Sequence, residues 1–140
     1  MSEPVPVRGV LVTHGSMAQG MVDAVRRISG VEAEALVAVS NDGKKPEDVG
    51  SEIIGVIQDE PAVVFTDLGS GSCTLAARLS CRDRREVVLL TGVNLPMLLD
   101  FVFHRTLPLA ELAERLAVQG KDGVRLVRPP EADGDSALPR

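Results

Sequence analysis

Two residues of this chain have the types and settings that group-transfer chemistry needs. His14 closes the apolar run Val10-Leu11-Val12-Thr13 and opens the small-residue turn Gly15-Ser16. Asp67 closes a second run, Ala62-Val63-Val64-Phe65-Thr66, and Leu68-Gly69-Ser70-Gly71-Ser72 follows it. Both runs read as buried strands, and both turns read as entries to helices. In open parallel sheets, ligands bind beyond the carboxyl ends of the strands, so His14 and Asp67 are expected to meet on one edge. An uncharged imidazole there offers one ring nitrogen as a nucleophile while the other donates a hydrogen bond. A carboxylate accepting that bond fixes the tautomer and offsets positive charge that develops on the ring.

Around this pair, Gly15, Ser16, Gly69, Ser70, Gly71 and Ser72 form a polar, glycine-rich surround in which main chain can approach a ligand closely. The N–H groups at the start of the following helix favour an anion. Each residue also has a plainer role: His14 as a structural hydrogen bonder, Asp67 as an Asx-turn or cap, Ser72 as an N-cap. The turn is no Walker loop, because no Gly-Lys-Ser/Thr follows it. Its spacing also misses the Gly-x-Ser-x-Gly nucleophile elbow, which disfavours a serine hydrolase. Gly92-Val93-Asn94-Leu95-Pro96, at a third strand end, walls the same crevice or simply punctuates strand and helix. His104 reads as a helix C-terminal residue. Two histidines and no clustered ligand motif argue for no metal site, and no cofactor motif is present. A histidine, a supporting aspartate and an anion cradle point to transient phosphorylation of His14, forming a phosphoramidate that is passed on.

The elements that must position these residues follow from the rest of the pattern. At 140 residues the chain fits one domain, with an apolar fraction of 44% that comes from aliphatics, three Phe and no Trp or Tyr. That composition suits strands buried on both faces. A net charge of -5 excludes a nucleic-acid binder with a basic face. Cys73 and Cys81 on one helix would lie about 12 Å apart, too far for a disulfide, and read as core or boundary residues in a reducing compartment. Met1 to Pro6 lacks a signal-peptide core, and no apolar run approaches the ~20 residues of a membrane span, which reads as a soluble cytoplasmic protein. The expected order is strand 7–13, helix from about Ala18 to Gly30, strand 35–39, helix from Pro46, strand 62–66, helix 72–81, strand 86–91, helix 97–104 and a helix from Pro108 closed at Gly120. Gly123–Arg128 is a candidate fifth strand. Residues 129–140 read as a disordered tail. Four β–α alternations imply an α/β three-layer sandwich with a mainly parallel sheet.

The chain resembles the enzyme IIA domain of the mannose family of the bacterial phosphoenolpyruvate-dependent sugar phosphotransferase system. The resemblance rests on Thr13-His14-Gly15, on Asp67-Leu68-Gly69-Ser70-Gly71-Ser72 and on Gly92-Val93-Asn94-Leu95-Pro96-Met97-Leu98, and spans about residues 8 to 127. It implies that His14 accepts a phosphoryl group from HPr and passes it to an enzyme IIB. Asp67 then matches the aspartate that orients the imidazole, and Ser72 a serine beside the phosphoryl site. It also implies a homodimer in which a C-terminal antiparallel strand, here Val124 to Val127, crosses to the partner. With no IIB domain after residue 128, the IIB acceptor is expected on a separate chain, and membrane permease subunits are indirect partners only. Leu68-Gly69-Ser70 departs from the aromatic residue and Gly-Gly pair of enteric members, and also looks like the phosphotransfer subunit of dihydroxyacetone kinase. The alternatives are therefore a regulatory phosphorelay without sugar transport, that kinase-type subunit, and a non-catalytic binding module.

Overall fold

The computed structural model describes residues 4–130 of the chain. Four strands form one sheet: β1 (Arg8–Thr13), β2 (Leu36–Ser40), β3 (Ala62–Thr66) and β4 (Val87–Leu90), in the order β2-β1-β3-β4. All three pairings are parallel. The helices are α1 (Met17–Ser29), α2 (Pro46–Ile57), α3 (Ser72–Cys81), α4 (Leu95–Phe103) and α5 (Leu109–Asp122).

Alternation along the strands sends successive side chains to opposite faces, and each face is covered. Leu11, Val63 and Phe65 point to one side, where they pack with α1, α4 and α5 through Val22, Val25, Leu98, Phe101, Leu112 and Leu116. Val10, Val12, Ala62 and Val64 point to the other side and meet α2 and α3 through Val49, Ile53, Ile57, Ala76 and Ala77. The expected α/β three-layer sandwich is what forms, with a four-stranded, wholly parallel sheet.

The order of strands matters for function. From β1 the chain moves to β2 on one side and then to β3 on the other, so the connections leave the carboxyl ends of β1 and β3 in opposite directions. A crevice opens at such a point. The register pairs Val12 with Thr66. The next residues of the two strands' exits are therefore neighbours across the ladder, and these exits carry His14 and Asp67.

One close packing constraint holds β1 in this register. A Cβ built on Gly9 would lie 2.6 Å from Cε2 of Phe101 and 2.9 Å from Cδ1 of Leu36. Phe101 cannot retreat, because it is fully buried and stands edge-on to Phe65 with ring centroids 5.3 Å apart. Gly9→Ala is expected to lower unfolding stability by about 1–3 kcal/mol through overpacking, read as a lower urea midpoint with an unchanged slope.

Several boundaries differ from expectation for local reasons. A 3-10 turn, Ala33–Ala35, occupies the start expected for β2. α4 begins at Leu95, before Met97, since Pro96 is tolerated in a first turn whose N–H groups have no intrahelical acceptor. α5 runs past Gly120 to Asp122. Gly120 is there for packing: a Cβ would come within 2.5 Å of the Met97 methyl group. The candidate strand at Gly123–Arg128 does not form within the single chain; residues 124–130 belong to no strand, and Val124, Leu126 and Val127 are exposed. The sheet's two edges, β2 and β4, are open among the described residues, and this segment pairs with neither. Of the expected tail, residues 131–140 lie outside the described residues.

Candidate functional site

The tautomer of His14 is set by its hydrogen bonds. Asp67 Oδ2 accepts twice from this one residue, from the main-chain N–H at 3.0 Å and from ring Nδ1 at 2.8 Å. An ionised carboxylate is acceptor only, so Nδ1 carries the proton and Nε2 keeps its lone pair. Burial alone would raise the Asp67 pKa, but the hydrogen bonds from the His14 main chain and ring outweigh it and leave the carboxyl below its ordinary value. Asp67 is therefore a carboxylate at neutral pH. The Asp67 side chain is 9% exposed and that of His14 is 44% exposed, so the carboxylate is sheltered while the imidazole faces solvent.

Local sequence makes these exits. Gly15 has φ +59°, which lets the chain turn sharply off β1. Thr13, buried at the strand end, turns its Oγ1 to accept from Ala18 N–H at 2.7 Å and so supplies α1 with the cap that Ser16 does not. On the β3 side, Thr66 Oγ1 donates to the Leu68 carbonyl at 3.1 Å and accepts from Thr74 Oγ1 at 2.7 Å. These buried hydroxyls tie the Asp67 turn to the first turn of α3.

Gly71 precedes α3 with φ +99°, and a Cβ there would lie 3.9 Å from Cε1 of His14. The imidazole thus lies beside the N-terminus of α3, whose first N–H groups have no acceptor within the helix and favour an anion. Ser72, the first residue of α3, is exposed, and its Oγ accepts from Asn41 Nδ2 at 3.3 Å. Asn41 Oδ1 in turn accepts from Gly15 N–H at 3.3 Å. Ser40 Oγ donates to the Gly15 carbonyl at 2.8 Å.

The fold therefore gathers His14, Asp67, Gly15, Gly71 and Ser72, but not every candidate equally. Ser16 is exposed and makes no side-chain cap bond. Gly69 and Ser70 are exposed, and a Cβ on Gly69 would lie 3.8 Å from Oγ1 of Thr91. The third turn braces the end of β3: Val93 N–H donates to the Thr66 carbonyl, while Asn94 caps α4 and donates to the Gly120 carbonyl of α5. His104 stands at the C-cap of α4 with Nδ1 on the Asp100 main-chain oxygen.

Two further residues, Asn41 and Cys73, border the site. Asn41 reads as turn chemistry, yet it follows β2 and so emerges on the same sheet edge as His14; its strand-end position was the available signal. Cys73 reads as a core residue and is buried, but its Sγ also lies 3.8 Å from His14 Nδ1. Burial and the Asp67 charge raise its thiol pKa above the ordinary value, so it is a neutral thiol at neutral pH.

A model of the family described as PTS system fructose IIA component matches residues 9–117. The chain belongs to this family of IIA components of the sugar phosphotransferase system (PTS). The same fold recurs in solved PTS IIA structures. The chain is similar to the phosphotransferase system component EIIA from Streptococcus agalactiae, with 24% identity and a TM-score of 0.77 over 85% of this chain and 95% of that one. It is similar to the mannose/sorbose specific IIA subunit from Enterococcus faecalis, with 20% identity and a TM-score of 0.79 over 91% and 98%. A sigma-54 interaction domain protein from Enterococcus faecalis shares the fold at 13% identity and a TM-score of 0.73 over 86% and 95%. Consistent with a IIA component, no helix among the described residues is long and apolar enough to cross a membrane.

Proposed function

We propose that this IIA component is a phosphohistidine carrier that takes a phosphoryl group from HPr on His14 Nε2 and delivers it to the histidine of a separate enzyme IIB. The observation that carries the reading is the Nδ1–Asp67 hydrogen bond of 2.8 Å, which in the neutral ring keeps the free lone pair on Nε2 of a half-exposed side chain. In the forward step the Nε2 lone pair attacks phosphorus and the bond from phosphorus to the donor imidazole breaks. That bond's electrons stay on the donor nitrogen. The Nδ1 proton remains in its bond to Asp67, whose charge offsets the cationic phosphoimidazole. Ser72 and the leading N–H groups of α3 receive the phosphoryl oxygens, as an anion at a helix N-terminus requires. Transfer to IIB reverses these roles.

A carrier must release each partner quickly, which suits an open surface better than a deep cleft. Met17 and Leu68, shortly after His14 and Asp67 respectively in sequence, are 43% and 56% exposed and supply apolar contact without a large interface. The net charge of -5 favours partners with basic faces. We also assign the C-terminal segment to a homodimer: Val124, Leu126 and Val127 are 79%, 83% and 75% exposed, an apolar strip that pairing with a second copy's sheet would cover.

The test is incubation with phospho-HPr followed by addition of a IIB protein. One acid-labile, base-stable phosphoryl group per chain is expected, and it should leave on adding IIB. No incorporation would overturn the reading. Incorporation without transfer to any sugar-specific IIB would assign the same chemistry to a regulatory relay.

A further inference from the structure

The site holds more donor chemistry than phosphoryl transfer uses. His14, Asp67 and Cys73 each present one metal-binding atom, and the three atoms lie within 4.8 Å of one another. The fold makes this cluster: His14 leaves β1, Asp67 leaves β3, and Cys73 is the second residue of α3. An independent observation points the same way. Oδ1 of Asp67 is buried and has no hydrogen-bond partner among the described residues, in a side chain that is only 9% exposed. A sheltered carboxylate oxygen without a partner needs an explanation, and a cation supplies one.

We propose that these three residues form a site for a divalent cation of the zinc class, and that the bound ion arrests phosphoryl transfer. Thiolate, imidazole and carboxylate together suit a borderline-soft ion such as Zn2+ better than Mg2+ or Ca2+, which take oxygen ligands. Tetrahedral zinc with bonds of its usual length holds its N, O and S ligands about 3.2–3.7 Å apart. The 3.8 Å between Cys73 Sγ and His14 Nδ1 is already close to that spacing. The 2.8 Å between Nδ1 and Oδ2 needs to open by about half an ångström, or Oδ1 can be used instead. Thiolate and carboxylate balance the two charges of the ion, so the partly buried site is neutral overall. A solvent molecule completes the coordination on the exposed His14 side.

Arrest follows from the tautomer. A metal on Nδ1 takes the lone pair of that nitrogen, so a neutral imidazole must carry its proton on Nε2. Nε2 then has no lone pair with which to attack phosphorus. Proton balance is simple: the imidazole proton moves from Nδ1 to Nε2 through solvent, and the Cys73 thiol proton is released. The same Asp67 that selects the reactive tautomer in the free site becomes a ligand that holds the unreactive one. The binding site stands on its own, while the arrest rests on the carrier reading above.

Cobalt separates the two, because a thiolate–cobalt bond absorbs in the near ultraviolet whether or not the protein transfers phosphate. Titrating the metal-free chain with Co2+ is expected to give a charge-transfer band that saturates at one ion per chain and is bleached by Zn2+. Cys73→Ala, a small apolar replacement in a core position, should lose that band and weaken Zn2+ binding at least tenfold. It should still accept phosphate from phospho-HPr, and unlike the parent it should do so at Zn2+ concentrations that stop the parent. No cobalt–thiolate band, or equal Zn2+ binding by Cys73→Ala, would overturn the site. Equal Zn2+ inhibition of both proteins would overturn the arrest mechanism. A saturable band in a chain that never incorporates phosphate would support the site and reject the carrier.

Discussion

His14→Ala is expected to abolish acid-labile phosphorylation by phospho-HPr while leaving the fold intact. The loss should be complete because no other group on this surface offers an unprotonated imidazole nitrogen. His104, the second histidine, lies at the C-cap of α4 and is bound to the Asp100 main chain. The folded state should survive for an equally specific reason. The His14 side chain is 44% exposed, and the main-chain N–H at position 14, which alanine retains, still donates to Asp67 Oδ2. Thermal unfolding of the variant should therefore stay within a few degrees of the parent, in keeping with small costs at exposed positions. Phosphate incorporation into this variant, measured by label at alkaline pH before and after acid treatment, would remove His14 from the mechanism.

Asp67→Ala should slow the same transfer by up to about 10⁴-fold, the order of loss when the carboxylate behind a catalytic histidine is removed in serine proteases. Two effects combine. Nδ1 loses the acceptor that keeps the proton off Nε2, and the ring loses the charge that offsets its cationic phosphorylated form. Single-turnover rates against phospho-HPr measure the loss, and unchanged rates would reduce Asp67 to a turn former. Acid stability supplies a second measurement. Because the folded-state pKa of Asp67 lies below its ordinary value, its bonds to His14 contribute stability that is present above the unfolded carboxyl pKa of about 3.9 and is lost as pH falls through the lower folded value. The stability gap between parent and Asp67→Ala should therefore narrow as the solution is acidified below about pH 4.

The contrast between Asp67 and Cys73 shows how much of the site could be read in advance. Asp67 was legible because a carboxylate directly after an apolar run has few uses in a sheet protein, and one of them is at the carboxyl edge. Cys73 was not, since a cysteine one position into a helix is chemically the same string whether it faces a core or a histidine. Asn41 lies between these cases: its turn was legible, but its bridge between Gly15 and Ser72 depends on β2 lying beside β1. The C-terminal strip is a different case. Val124 to Val127 has strand composition, yet among the described residues it pairs with neither open edge of the sheet, β2 or β4.

What the sequence by itself determined are the quantities carried by near neighbours. The alternation of apolar residues sets which strand faces are buried, Gly15 and Gly71 allow the turns, and His14 and Asp67 are placed at strand ends. Those features depend on local sterics and on periodicity, so a linear string contains them. Only the tertiary structure decided that the β1 and β3 exits are adjacent, that one carboxylate oxygen takes both the main-chain and ring N–H of His14, and that a thiol stands 3.8 Å from the same ring nitrogen. Strand order and register are set by packing of whole faces against α1, α4 and α5 on one side and α2 and α3 on the other. That cooperative fit is spread over the described residues, and it is what selects which nitrogen of His14 is held by Asp67.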